Sequence, residues 1–375
     1  MVESNSKNMM RLAIIGASIG QLPICIKAKE LGLETHCFAW DQGAVCKDVV
    51  DFFHPISITE KDHIVEKCRE LQIDGVVSNA SELTSEISSY IAEKLGLNGT
   101  PSQVLEKLHD KYYVRKISEE LDGLSSPIFY KYEGCDKGIY PCVVKPCGGS
   151  AKKGVSFVND PQSFQSAIDY AKEASLGEII VEEFISGKEL SVESISYKGV
   201  HHVIQITDKD TSSAPHFVEL GHHQPADISP SLQSKIKKVI PNLLSSIGYS
   251  NGASHIEIKY RDEDIYLIEV NLRGGGDEIS NKLVLMSSGV DYLRCMIEVS
   301  LDIFQSPVQV APPSYAGIYY LCKQTESMLP FFEGAKDKDW YVEGEIYNRK
   351  LKESHSNYER DGYLIYKWKN KVIPK

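Results

Sequence analysis

Apolar positions along the chain follow two rhythms, and the changes between them divide it. Residues 11–16 (RLAIIG), 35–39, 49–55 and 73–78 are short apolar runs that read as buried strands. Between them, 22–31, 61–71 and 85–95 read as helices. Strands alternating with helices predict a doubly wound, parallel α/β domain over 1–104. After a break at 97–101 the order changes. A helix at 102–108 precedes strands at 140–146 and 179–185, with a helix at 160–174 between them. Residues 189–196 alternate strongly and pair with 201–207, and 211–226 read as polar and irregular. A helix at 231–247 leads to a hairpin of 255–260 and 266–272, closed by Arg261-Asp262-Glu263-Asp264. Helices at 279–289 and 291–301 follow, then strand-like stretches at 316–322, 340–346 and 362–368. The pattern therefore predicts a second domain at 105–310, with a small mobile lobe near 120–185, and a small β-rich lobe at 311–375.

The hairpin carries the chemistry. If Ile256 pairs with Val270 and Ile258 with Ile268, one face is apolar. The other face then sets Glu257 opposite Glu269, with Asn271 two residues on. Like charges directly opposed on a sheet repel, so something positive is expected between them. Two carboxylates and an amide oxygen are hard ligands that suit Mg²⁺ or Mn²⁺ alongside substrate phosphates. Arg273 offers a planar fork to an anion, and Gly274, Gly275 and Gly276 let backbone approach a ligand. A surface hairpin with solvated acids is the plain alternative.

Other stretches add candidates. Lys145 ends an apolar strand and runs into Cys147-Gly148-Gly149-Ser150-Ala151-Lys152-Lys153-Gly154. Such a loop can wrap phosphates with backbone N–H groups and ammonium heads. It is not a P-loop, because no GK[ST] opens a helix. Gly16 and Gly20 lack the full GxGxxG and read as a tight turn. Ser81 and Glu82 follow a strand end where open α/β sheets bind ligands, although Ser81 also suits a helix N-cap. His216, His222 and His223 have no HxxxH spacing, which argues against zinc.

Composition narrows the classes. Charged residues are 25% and hydrophobic ones 42% of 375 residues, an ordinary globular balance. A net charge of -11 excludes a nucleic-acid partner held by a basic surface. Nine cysteines, an odd number without a CxxC, and a polar start predict reduced thiols and a cytoplasmic protein. No apolar run reaches membrane-spanning length.

The order of these pieces resembles the ATP-grasp superfamily: Lys111, then Lys145 in VVKP, the Gly-rich loop, VEEFI at 181–185, GKELSVE at 187–193, and the Glu257/Glu269/Asn271 set with Arg273. The first domain is similar to the one that precedes ATP-grasp modules in biotin-carboxylase-like enzymes. The segment 216–225 and the tail with Arg360-Asp361-Gly362-Tyr363 are most similar to L-amino acid (dipeptide) ligases.

The resemblance implies an N-terminal α/β domain, a two-lobed ATP-grasp fold and a C-terminal β lobe. It implies that Lys111 and Lys145 contact phosphates, with Gly148, Gly149, Ser150, Lys152 and Lys153 folding over them. Glu182, Glu183, Phe184 and Ile185 would line the adenine, and Glu189 the ribose. Glu257, Glu269 and Asn271 would hold Mg²⁺ or Mn²⁺. Arg273, with Lys145 and Glu269, would serve catalysis. Ser81, Glu82, His222, His223 and Gly274 to Gly276 would meet substrate. The implied protein is a homodimeric carboxylate–amine ligase that works through an acyl phosphate. Small-molecule acids and amines are its partners, with neither nucleic acid nor membrane. The alternatives are a ligase or carboxylase acting on bicarbonate, a nucleotide precursor or a sugar precursor, and a non-catalytic nucleotide-binding regulator.

Overall fold

Strand β1 (Arg11–Ile15) sends alternate side chains to two cores, Leu12 and Ile14 to one, Ala13 and Ile15 to the other. It is one of the two inner strands of a four-stranded parallel sheet with β2 (Glu34–Phe38), β3 (Phe52–His54) and β4 (Gly75–Val77), in the order β3-β2-β1-β4. Helices α2 (Lys61–Leu71) and α3 (Glu82–Leu95) cover one face. The other face packs on α1 (Leu22–Glu30) and on a helix from far along the chain, Tyr292–Ser300. The computed structural model describes residues 9–148, 153–214 and 216–374.

Two short helices, α4 (Ser102–Leu108) and α5 (Lys111–Glu120), lead to a small lobe. The side chain of Asp110 caps α5 by accepting from the Tyr112 N–H at 2.9 Å. The lobe is an antiparallel sheet of β5 (Phe129–Lys131), β6 (Cys142–Pro146), β7 (Ser156–Val158) and β8 (Ile179–Glu183), in the order β5-β8-β6-β7. Helix α6 (Pro161–Ala174) seals it with Phe164, Ala167, Ile168 and Ala171.

The remaining strands form one sheet of eight. They are β9 (Lys188–Tyr197), β10 (Val200–Thr211), β11 (Glu219–Gln224), β12 (Gly252–Arg261), β13 (Asp264–Asn271), β14 (Tyr315–Leu321), β15 (Tyr341–Ile346) and β16 (Gly362–Trp368). Their order is β13-β12-β9-β10-β11-β14-β16-β15. The C-terminal strands thus extend the central sheet through β11, and Ile318, Tyr320 and Ile365 share a core with the N-terminal sheet.

One face of this sheet, with Leu190, Val192, Ile206, Ile256 and Ile258, packs on α7 (Pro230–Ser246). The opposite face is divided: Ile195, Ala253, Ile318 and Ile365 join the core shared with the N-terminal sheet, and the stretch with Lys209, His255 and Glu257 is polar. The expected pairing of Ile258 with Ile268 does not occur: Ile256 faces Val270 and Glu257 faces Glu269, but Ile258 faces Leu267. Ile268 is the extra residue of a β-bulge, which lets Leu267 and Val270, three apart, share the α7 core. Residues 219–224, expected to be irregular, form a buried strand because their polar groups find partners inside the sheet. The helix expected over 279–289 is a wide π-type turn, Ile279–Leu283, followed by α8 (Val284–Ser288), and Tyr292–Ser300 is α9.

Candidate active site

In the small lobe, Lys145 on β6 is buried, and its ammonium pairs with Glu182 of β8. The same carboxylate takes a fork from Arg115 of α5, Nε to Oε2 at 2.6 Å and Nη2 to Oε1 at 3.2 Å. Burial, which favours the neutral acid, is outweighed by Arg115 and Lys145, so the Glu182 carboxyl is held down at about 2. Burial also lowers the pKa of Lys145, against the pull of Glu182. Two cations share one anion here, and the unbalanced positive charge suits phosphate oxygens. Lys111 opens α5 beside them, its N–H donating to the Cys147 carbonyl at 2.9 Å.

Gly149, Ser150, Ala151 and Lys152 lie outside the described residues. Gly148 and exposed Lys153 border them, and Gly154 sits at φ +76°, where a Cβ would fall 2.5 Å from that of Ala174. At the end of β8, the N–H groups of Glu183 and Phe184 are taken by the carbonyls of Ile128 and Pro141. Phe184 stacks on Phe217 at 5.7 Å and meets the edge of Phe157 at 4.8 Å, with Lys259 Nζ 5.0 Å from its ring. This aromatic wall, absent from the sequence reading except for Phe184, gives a flat base an apolar surface.

On the polar face of the large sheet, Glu257 and Glu269 stand directly opposed and Asn271 faces His255. No cation of the described residues pairs with Glu269; Glu257 is instead met from the other side of β12 by Lys209 of β10, whose Nζ lies 2.9 Å from Glu257, 2.9 Å from Glu219 and 3.4 Å from Glu189. Sequence reading missed it because its partners come from three other strands. His255 Nδ1 meets Glu193 at 2.7 Å and its Nε2 meets Glu257 at 3.2 Å. Burial opposes its charge, but Glu193 and then Glu257 raise its pKa to about 9. Burial likewise opposes ionisation of Glu257, and Lys209 with His255 reverses this to hold it well below the usual carboxylate range. Glu269 is exposed, its carboxylate has no hydrogen bond or ion pair among the described residues, and the buried Asn271 Nδ2 has no partner. Two carboxylates and an amide on one face fit a hard divalent cation.

Arg273 follows. Its Nη1 donates to the Gly274 carbonyl at 2.9 Å and its Nη2 to Asn271 Oδ1 at 3.4 Å, while its buried Nε has no partner. No carboxylate neutralises it among the described residues, so its fork is available to an anion. The cleft beside it is lined by Glu82, Glu86 and His109, with His109 Nε2 2.6 Å from Glu86 and 3.6 Å from Glu82. Ser81 occupies the N-cap position of α3, yet its side chain caps nothing. The glycines divide. A Cβ on Gly274 would lie 2.3 Å from Asn79 Oδ1, and one on Gly275 would lie 2.8 Å from His255 Nδ1. Their bareness admits these protein neighbours, and at Gly276 an added Cβ would meet nothing within 4 Å.

His222 and His223 point to opposite faces of β11. His222, on the side of Lys209, lies 3.4 Å from both Glu219 and Asp277. Asp277 is gripped at 2.8 and 2.9 Å by Arg360, which stacks on Tyr320. His223 bonds Tyr366 at 3.1 Å and Asp210 at 3.0 Å, away from the polar face, so the paired expectation for the two histidines divides. Glu219, Asp277 and Arg115 were not singled out from the sequence; only their partners in space mark them.

A parallel α/β sheet is thus followed by two antiparallel sheets, with paired cations on the smaller and opposed carboxylates on the larger. Residues 139–282 match the family model of the ATP-grasp domain, and the chain carries that domain. It is 24% identical over 292 residues to a formate-dependent phosphoribosylglycinamide formyltransferase of Corynebacterium glutamicum (strain R), spanning 71% of this chain and 69% of that one. Its fold matches the L-amino acid ligase from Bacillus licheniformis at a TM-score of 0.78 and 24% identity, over 96% of this chain and 94% of that one. It also matches a phosphoribosylglycinamide synthetase from Anaerococcus prevotii at 0.75 and 19%, over 97% and 95%. No helix among the described residues is long and apolar enough to cross a membrane.

Proposed function

We propose that the chain is an ATP-dependent carboxylate–amine ligase whose acid is an amino acid or a small peptide-like acid. The opposed Glu257 and Glu269, with Asn271 beside them, carry the reading, since a sheet sets two acids face to face when a cation joins them. Mg²⁺ or Mn²⁺ held there would screen the charge of the ATP phosphates. Lys145 and Lys111 position those phosphates, and Arg273 faces the substrate carboxylate. The carboxylate oxygen attacks the γ-phosphorus and ADP leaves. The neutral amine then attacks the acyl carbon, phosphate departs with the C–O bond electrons, and the amine loses a proton to give the amide. The small lobe excludes water, which would hydrolyse the acyl phosphate. A homodimer in a reducing cytoplasm belongs to the same reading.

The substrate end favours an ammonium-bearing acid over a phosphoribosyl one. Glu82 and Glu86 line the cleft with His109 and Arg273, and Glu219, Asp277 and His222 form a second acidic cluster. Acids attract an ammonium and repel a phosphate. The test is phosphate release from Mg·ATP with amino acids singly and in pairs, bicarbonate, and phosphoribosylglycinamide with formate. Release that requires an amino-acid pair, with a new amide by mass spectrometry, is the expected result. Release only with bicarbonate or the ribosyl substrate would move the protein to that branch.

A further inference from the structure

Arg115 is 2% exposed, the largest fully buried side chain among the described residues, and its guanidinium is divided between two parts of the molecule. Nε and Nη2 hold Glu182 in the small lobe. Nη1 donates to the Leu267 carbonyl at 2.8 Å, and Nη2 also donates to the Ile268 carbonyl at 3.3 Å. Those two carbonyls belong to the bulge. A bulge interrupts the ladder and leaves backbone groups that must be satisfied in a dry interior. Here one side chain satisfies them.

The bulge matters because of what lies one residue further on. From Arg261 and Asp264 inward, the hairpin pairs in one constant register as far as Ile258 and Leu267. Continued unchanged, that register would set Glu257 against Ile268 and turn Glu269 onto the α7 core. The extra residue restores Glu269 to the polar face, opposite Glu257. We infer that Arg115 is a positioning residue: it pins the bulge that brings Glu269 opposite Glu257, and by sharing Glu182 with Lys145 it ties that register to the phosphate-facing lysine. The inference rests on the reading of Glu257, Glu269 and Asn271 as the cation site. A lysine cannot replace Arg115, because a single ammonium cannot span a carboxylate and two carbonyls as a planar fork does.

Two variants test it. Arg115→Lys keeps the buried charge and loses the fork. Glu182→Gln keeps the two carbonyl bonds and weakens the counter-charge of Lys145. The readouts are Mn²⁺ affinity of the ADP-saturated protein by electron paramagnetic resonance, and ADP affinity in EDTA by calorimetry. Arg115→Lys is expected to weaken Mn²⁺ roughly 10- to 100-fold, the range for residues that orient metal ligands, with a smaller change in metal-free ADP affinity. Glu182→Gln is expected to do the reverse. Circular dichroism checks the fold, and faster amide exchange at 267–269 in Arg115→Lys reports the bulge directly. Wild-type Mn²⁺ affinity in Arg115→Lys, or an equal loss of both affinities, would overturn the inference. Failure of the wild-type protein to bind Mn²⁺ with ADP would overturn the proposed function, and the inference with it.

Discussion

Lys209 keeps its ammonium 1% exposed between three carboxylates, an arrangement stable only while the charges stay together. Removing one partner of a buried ion cluster leaves the others desolvated and unpaired, at a cost of about 3–5 kcal/mol. Lys209→Met is therefore expected to lower the urea midpoint by an amount corresponding to several kcal/mol, whereas Glu269→Gln, at an exposed position, leaves it nearly unchanged. Equal midpoints for Lys209→Met and wild type would show that the acids do not need this counter-charge. At this scale the sequence was half legible. Glu257, Glu269 and Asn271 could be read because alternation within each strand and the pairing of Ile256 with Val270 put them on one face, although the bulge that makes this register possible was not foreseen. Lys209 could not, since a lysine among Thr207, Asp208 and Asp210 has the composition of a solvated edge, and only the fold brings Glu189, Glu219 and Glu257 to it.

At the scale of elements, the turn after β13 and the edge of the N-terminal sheet make separate predictions. Gly274→Ala would press a Cβ against Asn79 Oδ1, while Gly276→Ala meets nothing within 4 Å. The first is expected to lower the thermal midpoint by several degrees, as a destabilisation of 1–2 kcal/mol does, and the second to leave it alone. A thermal midpoint for Gly276→Ala as low as that for Gly274→Ala would refute the distinction.

On β3, His54 is pushed down to about 4 by burial and then by the charges of His36 and Lys67. His36 itself lies 3.0 Å from both His54 and Glu34. A histidine with a lowered folded pKa binds fewer protons folded than unfolded. The stability it contributes is present above about pH 6.5 and is lost as pH falls from there toward about 4. A His54→Phe protein should therefore show a smaller drop in urea midpoint between those pH values than wild type does. The long helices and the two-residue alternation of β9 and β12 were readable, because their periodicities are unambiguous. Strand β11 was not, because its Glu, Gly, His, His and Gln are made compatible with burial by partners distant in sequence. The bulge left a trace in the spacing of Leu267 and Val270, which a uniform strand cannot put on one core.

For the whole molecule, the three sheets were foreseen but their joints were not. The stretch after residue 311 reads as a small lobe, yet β14 pairs with β11 along four residues and shares a core with β1 and α9. A chain ending at residue 310 would bare the edge of β11 and part of that core. It is expected to lose cooperative unfolding and to aggregate, measurable by calorimetry and light scattering. A soluble, cooperatively folded 310-residue chain would show instead that the last strands are an appendage. Helix α9 has the same meaning at the other end. Sequence order places it at the close of the ATP-grasp segment, but its Met296 and Val299 pack in the core that also holds Leu12 and Ile14. Contacts of this kind are set by how large pieces dock, and local pattern carries little information about docking.

The joint at Asn79 has a genetic consequence. This residue lies two positions beyond β4, bonds Asn281 at 2.8 Å, and fills the space beside Gly274 next to Arg273. Selection for loss of activity would recover alleles at Asn79 and Asn281 as readily as at Glu269, although neither is among the residues proposed above to hold nucleotide or cation. Growth temperature would sort them. Alleles at the joint would be suppressed in the cold, and by second changes across it, whereas an allele at Glu269 would stay null at every temperature.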